Sequence, residues 1–316
     1  MTVTERDVVA LRQRLAPYIR HTPLVAAPGG GFVKLESMQP TGSFKVRGFF
    51  AAALELNAER LQRGLLTVSA GNAALACAHV ARTLGVPCRV VMLDTAPQLK
   101  QEGVRRLGAR INPVTQAQMH EWMRNRGWER EPETFIHPFA DEVVIAGHGT
   151  LAAEILEDHP DVDRVLVAVG GGGLICGIAA AFAALGRKVT VAGVQSDGYP
   201  LWPAAFDAGG PVVLQPNTIA EGTLAPFDAN MLPRLRALVD EWSVVAESGL
   251  RLAVAQLVSD VKVVAEGAGA LAYAALVTSA QRSNTVAVLS GGNIDGSRLS
   301  TLLSEAAAQR DRHGVT

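Results

Sequence analysis

The chain has 316 residues, of which 48% are hydrophobic and 19% are charged, so a sizeable buried core is expected and general disorder is excluded. Its 29 basic and 30 acidic residues give a formal net charge of -1, which argues against nucleic acid or an anionic membrane as the main partner. Cys77, Cys88 and Cys176 are few and far apart, and Met1–Leu15 lacks the apolar core of a signal peptide, so we expect a cytoplasmic protein.

Short β-branched runs predict strands, and the longer Ala/Leu-rich segments between them predict helices. The predicted strands are Phe32–Leu35, Leu65–Val68, Arg89–Leu93, Val143–Ile145, Val165–Val169, Val189–Val194 and Thr285–Leu289. The predicted helices are Phe44–Leu56, Asn72–Leu84, Leu99–Leu107, Gly149–Glu157, Leu174–Leu185 and Leu250–Leu257. This alternation predicts an α/β fold with parallel sheets and helices on both faces. The Pro/Gly-rich segment from Pro200 to Pro216 is expected to be an irregular surface connection.

The elements between Leu65 and Phe139 can form a compact α/β unit of their own. We therefore predict a small α/β domain at residues 65–139. Residues 1–64 and 140–316 would then build a larger sheet, which forms the second domain.

The run Pro40–Lys45 (PTGSFK) connects a strand to the helix predicted from Phe44, and Thr41 or Ser43 is expected to cap that helix. Lys45 then lies in the first turn, where the positive end of the helix dipole disfavours an ammonium. This lowers the pKa of Lys45 and favours the neutral amine, which is the form that attacks an aldehyde. A solvated surface lysine is the alternative interpretation.

Two polar segments, Ser69–Asn72 (SAGN) and Ser290–Asn293 (SGGN), each follow an apolar strand. Each places a hydroxyl and an amide at the carboxyl end of a strand, where ligands bind in open α/β sheets. Ordinary turn chemistry explains either segment taken alone.

Four consecutive glycines, Gly170 to Gly173, lie inside Val165 to Gly186, a stretch without charge that is long enough to cross a bilayer. Each glycine would cost a helix interior up to about 1 kcal/mol relative to alanine, so a strand, a glycine turn and a helix fit better than a membrane span. Glycines let backbone N–H groups converge on an anion at a helix N-terminus, which predicts a phosphate site. A close helix–sheet contact without a ligand is the alternative.

The same loop also permits a nucleotide interpretation. Gly171, Gly173 and Gly177 loosely follow the dinucleotide fingerprint, and Asp197 ends the next apolar strand, where a ribose-binding acid would lie. A nucleotide-dependent oxidoreductase is therefore an alternative function.

Taken together, these segments resemble the fold-type II pyridoxal-phosphate (PLP) enzymes, in particular the serine/threonine dehydratase (threonine ammonia-lyase) and serine racemase group. The resemblance runs from the HTPL segment at His21 to Asn293, and Lys34–Gly48 (KLESMQPTGSFKVRG) looks like the family's lysine signature. Ile145–Thr150 (IAGHGT) resembles a family segment in which glutamine is usual at the position of His148. Glu266–Ala270 (EGAGA) resembles the acidic, glycine-rich segment near the cofactor. The resemblance implies a tryptophan synthase beta-like fold of two open, mostly parallel sheet domains.

The resemblance implies a role for each segment. Lys45 would hold pyridoxal 5'-phosphate as a Schiff base and later remove the Cα proton of the substrate. Phe44 would pack against the ring face, Asn72 would hydrogen-bond the ring's 3-hydroxyl, and Ser290 would meet the pyridine nitrogen. The phosphate would be bound by the backbone of Gly170, Gly171, Gly172, Gly173 and Leu174. The substrate carboxylate would lie in the loop of Ser69, Ala70, Gly71, Asn72 and Ala73.

A neutral hydroxyl at the ring nitrogen makes a mild electron sink, which suits β-elimination. We therefore predict a lyase that dehydrates L-threonine and/or L-serine to a 2-oxoacid and ammonia. The alternatives within the family are serine racemase, threonine synthase and a dehydratase of another hydroxyamino acid such as hydroxyaspartate. The expected partners are a small amino-acid substrate and further copies of the chain, in a homodimer or higher homo-oligomer.

The sequence departs from the commonest family pattern at two places. Ala70 and Ala73 stand where the pattern Ser-Ser-Gly-Asn-His is frequent. Some relatives bind a divalent cation near a Thr-Ile-Ala-Asp-Gly segment, and Thr218–Gly222 (TIAEG) keeps an acid there. Glu221 is therefore a candidate ligand of a divalent cation.

Overall fold

The computed structural model describes residues 4–96 and 98–312. The strands are β1 (Leu24–Ala26), β2 (Phe32–Leu35), β3 (Leu65–Val68), β4 (Cys88–Leu93), β5 (Arg110–Val114), β6 (Thr134–Phe135), β7 (Arg164–Ala168), β8 (Thr190–Ser196), β9 (Glu241–Val245) and β10 (Thr285–Leu289). The helices are α1 (Glu5–Leu15), α2 (Lys45–Leu54), α3 (Ala58–Gln62), α4 (Asn72–Leu84), α5 (Gln98–Arg106), α6 (Gln116–Arg124), α7 (Glu142–Asp158), α8 (Gly173–Ala184), α9 (Leu201–Ala208), α10 (Met231–Leu238), α11 (Glu247–Gln256), α12 (Gly267–Thr278) and α13 (Gly296–Arg312).

The strands form two sheets. The larger sheet has the order β1-β2-β10-β7-β8-β9, and the smaller has the order β5-β4-β3-β6. Every pairing is parallel except that of β1 with β2. The predicted α/β class with two open, mostly parallel sheets is therefore confirmed.

Six of the seven predicted strands lie within a residue or two of observed ones, but the strand predicted at Val143–Ile145 is wrong. These residues belong to the first turns of α7, because the Asp141 side chain caps that helix by accepting hydrogen bonds from the Val143 and Val144 N–H groups. The strand propensity of this β-branched run is thus outweighed by an N-cap and by packing against a neighbouring helix. The segment Pro200–Pro216 is also not wholly irregular, since it contains α9. Among the residues described, no helix is both long and apolar enough to cross a membrane.

The apolar core crosses the domain boundary predicted at residue 64. Phe49 and Phe50 of α2 are fully buried in one cluster with α4 and with Leu65 and Val90 of the smaller sheet. The strands of the smaller sheet all lie between residues 65 and 139. The predicted division into two domains therefore stays a prediction, and α2 packs against elements on both sides of the predicted boundary, α4 on one side and α7 on the other.

A buried ion-pair cluster ties α2 to its surroundings. The Arg47 guanidinium contacts both oxygens of Glu36 at 2.7 and 2.8 Å and both oxygens of Glu154 at 2.7 and 2.8 Å. Arg47 and Glu36 are 0% exposed, and Glu154 is 2% exposed. Burial alone would raise the pKa of Glu36, but the charge and hydrogen bonds of Arg47 hold that pKa below its ordinary value. The three charges satisfy one another and fix α2 between the loop after β2 and helix α7.

Removing Arg47 should leave the buried Glu36 without a charge partner and Glu154 with Lys34 as its remaining partner among the described residues. We expect Arg47→Ala to lower the free energy of unfolding by about 3–5 kcal/mol, because breaking a buried pair leaves uncompensated charge. The control is Arg63→Ala, which breaks an exposed ion pair with Glu59 and should cost less than about 1 kcal/mol. Chemical denaturation of the three proteins measures both effects, and equal losses for the two variants would contradict this interpretation.

Candidate active site

Four loops meet where the carboxyl ends of β2, β7 and β10 of the larger sheet approach the end of β3 of the smaller sheet. The loop before Lys45 is held against the loop after β10. The Phe44 N–H donates to the Ser290 carbonyl at 3.1 Å, and the Gly292 N–H donates to the Gly42 carbonyl at 2.9 Å. An antiparallel bridge pairs Ser43 with Gly291. These bonds place Lys45 beside Ser290.

The predicted cap of α2 is wrong. The N-cap position is Phe44, whose backbone is already helical, and no side chain caps the helix. Thr41 and Ser43 point elsewhere, and within the described chain their buried hydroxyl oxygens have no hydrogen-bond partner. Pairing of the loop with Ser290–Gly292 sets the start of the helix instead, and the two hydroxyls stay buried in the turn before Lys45.

Lys45 lies in the first turn of α2, as predicted, and its amine is held inside the site. Its Nζ donates to the Pro138 carbonyl at 2.6 Å and lies 5.0 Å from the centre of the Phe44 ring. Burial lowers the pKa of Lys45 to about 8. The direction agrees with the prediction, and burial is its cause.

Lys34 differs from Lys45 in having carboxylate partners. Lys34 is 0% exposed, and its Nζ pairs with Asp158 at 2.6 Å and with Glu154 at 3.3 Å. Among the described residues, no carboxylate pairs with Lys45. Lys45 is half-buried, its amine is desolvated, and among the described residues no negative charge compensates it, which favours a neutral, nucleophilic amine.

The four-glycine loop connects β7 to α8, as predicted, and packs against Phe139. A Cβ on Gly171 would overlap the Phe139 ring, and Gly172 has a φ of +93°. Close packing thus explains part of the glycine run without a ligand. The N–H groups of Gly170, Gly171 and Gly172, however, donate to no group in the described part of the chain. They stand at the N-terminus of a 12-residue helix, where an anion is favoured.

Asn72 opens α4 and contacts two side chains from the larger sheet. Its Nδ2 donates to Glu266 Oε1 at 2.6 Å, and its Oδ1 accepts from Asn293 Nδ2 at 2.7 Å. Burial raises the pKa of Glu266 to about 7, against the lowering effect of the hydrogen bond from Asn72. The structure therefore brings Asn72 together with the acidic segment and with the loop after Ser290. Ser69 lies at the start of the same turn, where its Oγ accepts from the Gly71 N–H at 3.0 Å.

The segment His137–Phe139 belongs to the site but was not predicted. His137 Nδ1 accepts from the Ala140 N–H at 3.0 Å, and burial lowers the pKa of His137 to about 4. Pro138 bonds the Lys45 amine, and Phe139 packs on the glycine loop. The segment follows β6, a strand of two residues that periodicity cannot reveal. Its position after a strand of an α/β sheet is the signal that could have identified it.

His148 packs edge-on against the Phe44 ring, with the ring centres 4.8 Å apart. It is 0% exposed, and neither ring nitrogen has a hydrogen-bond partner in the portion of the chain that is described. Burial first, and then the charges of Lys45 and Arg47, hold the pKa of His148 well below its usual range. The imidazole is therefore neutral and supports the aromatic ring from behind.

Glu221 is engaged by two basic side chains. It forms ion pairs with Lys100 at 2.8 Å and with Arg298. Among the residues that the structure describes, no group of three or more His, Cys, Asp and Glu side chains is arranged to hold a metal ion. The geometry gives no support to a cation at Glu221.

The residues present fit PLP. Within residues 4–96 and 98–312, a desolvated amine without a carboxylate partner suits an aldehyde, and three N–H groups without an acceptor at a helix N-terminus suit a phosphate. In the described chain the buried hydroxyls of Thr41 and Ser43, in the turn before Lys45, have no hydrogen-bond partner, and the Phe44 ring offers an aromatic face.

Comparison with known proteins agrees with this geometry. The model of a family described as pyridoxal-phosphate dependent enzyme matches residues 15–291. A catabolic L-threonine dehydratase of Staphylococcus aureus (strain USA300) is 34% identical over 319 residues, which cover 94% of this chain and 91% of the relative. Maize serine racemase superposes with a TM-score of 0.87 at 30% identity, covering 99% of this chain and 100% of that one. A threonine deaminase from T.th. gives a TM-score of 0.84 at 36% identity, with 93% of this chain and 99% of that one covered.

His148 should make the stability of the fold depend on pH. The unfolded chain protonates a histidine below about pH 6.5, whereas the folded chain holds His148 neutral to lower pH. The contribution of the neutral His148 to the free energy of unfolding is therefore fully present above that pH and is lost as the pH falls. Between pH 7 and 5, the free energy of unfolding of His148→Gln should fall less steeply than that of wild type, by up to about 1.4 kcal/mol per pH unit.

Denaturant unfolding at pH 7, 6 and 5 measures this slope. The control is His120→Gln, because His120 lies exposed on α6. It should retain the wild-type slope, and a His148→Gln slope equal to that of wild type would refute the proposed effect.

Proposed function

The chain belongs to the family of pyridoxal-phosphate dependent enzymes, and we propose that within it the chain is a dehydratase of L-threonine and/or L-serine. The reaction is β-elimination, which gives a 2-oxoacid and ammonia. The observation that carries this proposal is the buried Lys45 amine, with a pKa of about 8 and no carboxylate partner among the described residues. Family membership also decides against the nucleotide-dependent oxidoreductase, which would need a dinucleotide at the glycine loop.

Lys45 would hold PLP through the cofactor's aldehyde until the amino group of the substrate takes its place, and PLP would then supply an electron sink for negative charge at the substrate Cα. The N–H groups from Gly170 to Leu174 would hold its phosphate, and the Phe44 ring would cover one face. Asn72 would donate to the ring's 3-oxygen, and Ser290 would meet the pyridine nitrogen with a neutral hydroxyl. The loop Ser69–Ala73 would receive the substrate carboxylate at the N-terminus of α4.

The lowered pKa equips Lys45 to move a proton. At pH 7 a group with a pKa of about 8 is roughly one-tenth neutral, whereas an ordinary lysine is neutral in fewer than about one molecule in a thousand. The free amine would take the proton from the substrate Cα, and the β-hydroxyl would leave with a proton as water. The enamine that is released becomes an imine, and water hydrolyses it to the 2-oxoacid and ammonia.

Other expectations remain proposals. These are the cytoplasmic location, the homodimer or higher homo-oligomer, and a bound divalent cation. The pairing of Glu221 with Lys100 and Arg298 gives the cation no support.

Reduction of the purified holoenzyme with borohydride should fix the cofactor onto Lys45, because its desolvated amine has no carboxylate partner among the described residues. Peptide mass spectrometry locates the adduct, and the control site is Lys34, whose amine is held by Asp158 and Glu154. An adduct on Lys34 or on any other lysine would contradict the proposed role. So would a colourless protein that binds no PLP.

The enzyme should eliminate without inverting Cα. Inversion needs a second proton-transfer group on the face of the substrate opposite Lys45. The family resemblance implies that serine racemases use the second serine of a Ser-Ser-Gly-Asn segment there, and Ala70 stands at that position in this chain. A methyl group neither donates nor accepts a proton. We expect L-serine to give pyruvate with little D-serine, and Ala70→Ser to keep the elimination activity. Chiral chromatography measures both products, and D-serine formed by the wild type as fast as pyruvate would refute the prediction.

A further inference from the structure

Three side chains from three separate loops meet in a single hydrogen-bonded chain. Asn293 follows β10, Asn72 opens α4, and Glu266 precedes α12. Asn293 Nδ2 donates to Asn72 Oδ1 at 2.7 Å, and Asn72 Nδ2 donates to Glu266 Oε1 at 2.6 Å. Asn293 Nδ2 also donates to the Thr41 carbonyl at 2.9 Å. This series of hydrogen bonds thus runs from the loop before Lys45, through the amides of Asn293 and Asn72, to the carboxylate of Glu266.

The order of donors and acceptors is determined by its two ends. The Thr41 carbonyl can only accept, so the atom of Asn293 that faces it is the nitrogen. That nitrogen requires an oxygen from Asn72, which turns the Asn72 nitrogen toward Glu266. Glu266 Oε1 accepts there, so both ends demand the same orientation. Reversing the Asn72 amide would set nitrogen against nitrogen and oxygen against oxygen, and both bonds would be lost.

This orientation matters because an amide nitrogen carries two hydrogens. One hydrogen of Asn72 is used by Glu266, and the second remains to be donated elsewhere. A reversed amide would offer its carbonyl oxygen instead and would repel the ring oxygen of the cofactor. We propose that Glu266 and Asn293 are positioning residues, which hold the Asn72 amide so that it donates to the cofactor's 3-oxygen. The inference rests on the proposed role of Asn72.

Glycine at position 42 permits this arrangement. Gly42 has a φ of +72°, and a Cβ there would overlap the Asn293 amide. The turn before Lys45 therefore leaves room for Asn293 to reach both the Thr41 carbonyl and Asn72. Lys45 and the orientation of Asn72 are consequently set by the same turn.

The strength of the hydrogen bond between Asn72 and Glu266 should vary with pH near neutrality. Glu266 has a pKa of about 7, raised by burial, while the charge of Lys100 lowers it and that of Glu221 raises it. An ionised carboxylate accepts a stronger hydrogen bond than a protonated one. The Asn72 amide is therefore held most firmly above pH 7.

The first test is a double-mutant cycle on the holoenzyme, with the dissociation constant of PLP and the visible absorbance band as readouts. Asn293→Asp replaces the donor by an acceptor, and cofactor binding should weaken about tenfold. In an Asn72→Ala background the same substitution should weaken binding clearly less, because the part that acts through Asn72 is gone and only the loss of the bond to the Thr41 carbonyl remains. Equal effects in both backgrounds, or no effect in the first, would overturn the inference.

The second test separates charge from hydrogen bonding at Glu266. Glu266→Gln keeps an acceptor oxygen for Asn72 but does not titrate, so binding of PLP should stay within about threefold of wild type. A wild-type component of the visible band that titrates near pH 7 should disappear in this variant. An identical pH profile for the two proteins would overturn the role of Glu266. If borohydride does not fix the cofactor onto Lys45 in wild type, the proposed function fails too. If the adduct forms there and the cycle shows no coupling, only this inference fails.

Discussion

The structure depends on the pairing of Arg47 with Glu36 and Glu154. Three charges that are almost inaccessible to water carry a desolvation cost of several kcal/mol each, and only good geometry offsets it. Arg47 makes two bidentate contacts, one with each carboxylate, and this geometry is kept only when α2 lies in one position. Lys45 lies two residues before Arg47 on the same helix, so the cluster also fixes where its amine enters the site. The neighbouring Lys34 joins the cluster through Glu154, which explains why it carries compensated charge and Lys45 does not.

Much of the fold and part of the site follow from local patterns. The strands Leu65–Val68 and Thr285–Leu289, the helix Asn72–Leu84 and the turn at Gly170–Gly173 each have apolar runs bounded by turn residues. The strand predicted at Val143–Ile145 fails because tertiary packing and the Asp141 cap outweigh β propensity. The cap predicted at Thr41 or Ser43 fails because pairing with a distant loop, the one that follows β10, sets the start of α2. No local pattern contains that pairing.

The same limit applies to the site. Lys45 and Asn72 stand in recognisable segments, whereas Pro138 and Phe139 follow a two-residue strand without any repeating pattern. The chain from Thr41 through Asn293 and Asn72 to Glu266 joins residues separated by as many as 252 positions. Spacing along the sequence carries no information about such contacts. It indicates which residues have useful chemistry, and the sheet topology then decides which of them meet.

The central claim is that the buried Lys45 amine serves the dehydration of a small β-hydroxy-L-amino acid. Its most direct test is to incubate the PLP-loaded enzyme separately with L-threonine, L-serine and hydroxyaspartate, and to measure the 2-oxoacid and ammonia released. We expect equimolar 2-oxoacid and ammonia from L-threonine or L-serine, and no product from Lys45→Ala. Turnover of hydroxyaspartate alone, or an unchanged rate in Lys45→Ala, would contradict it.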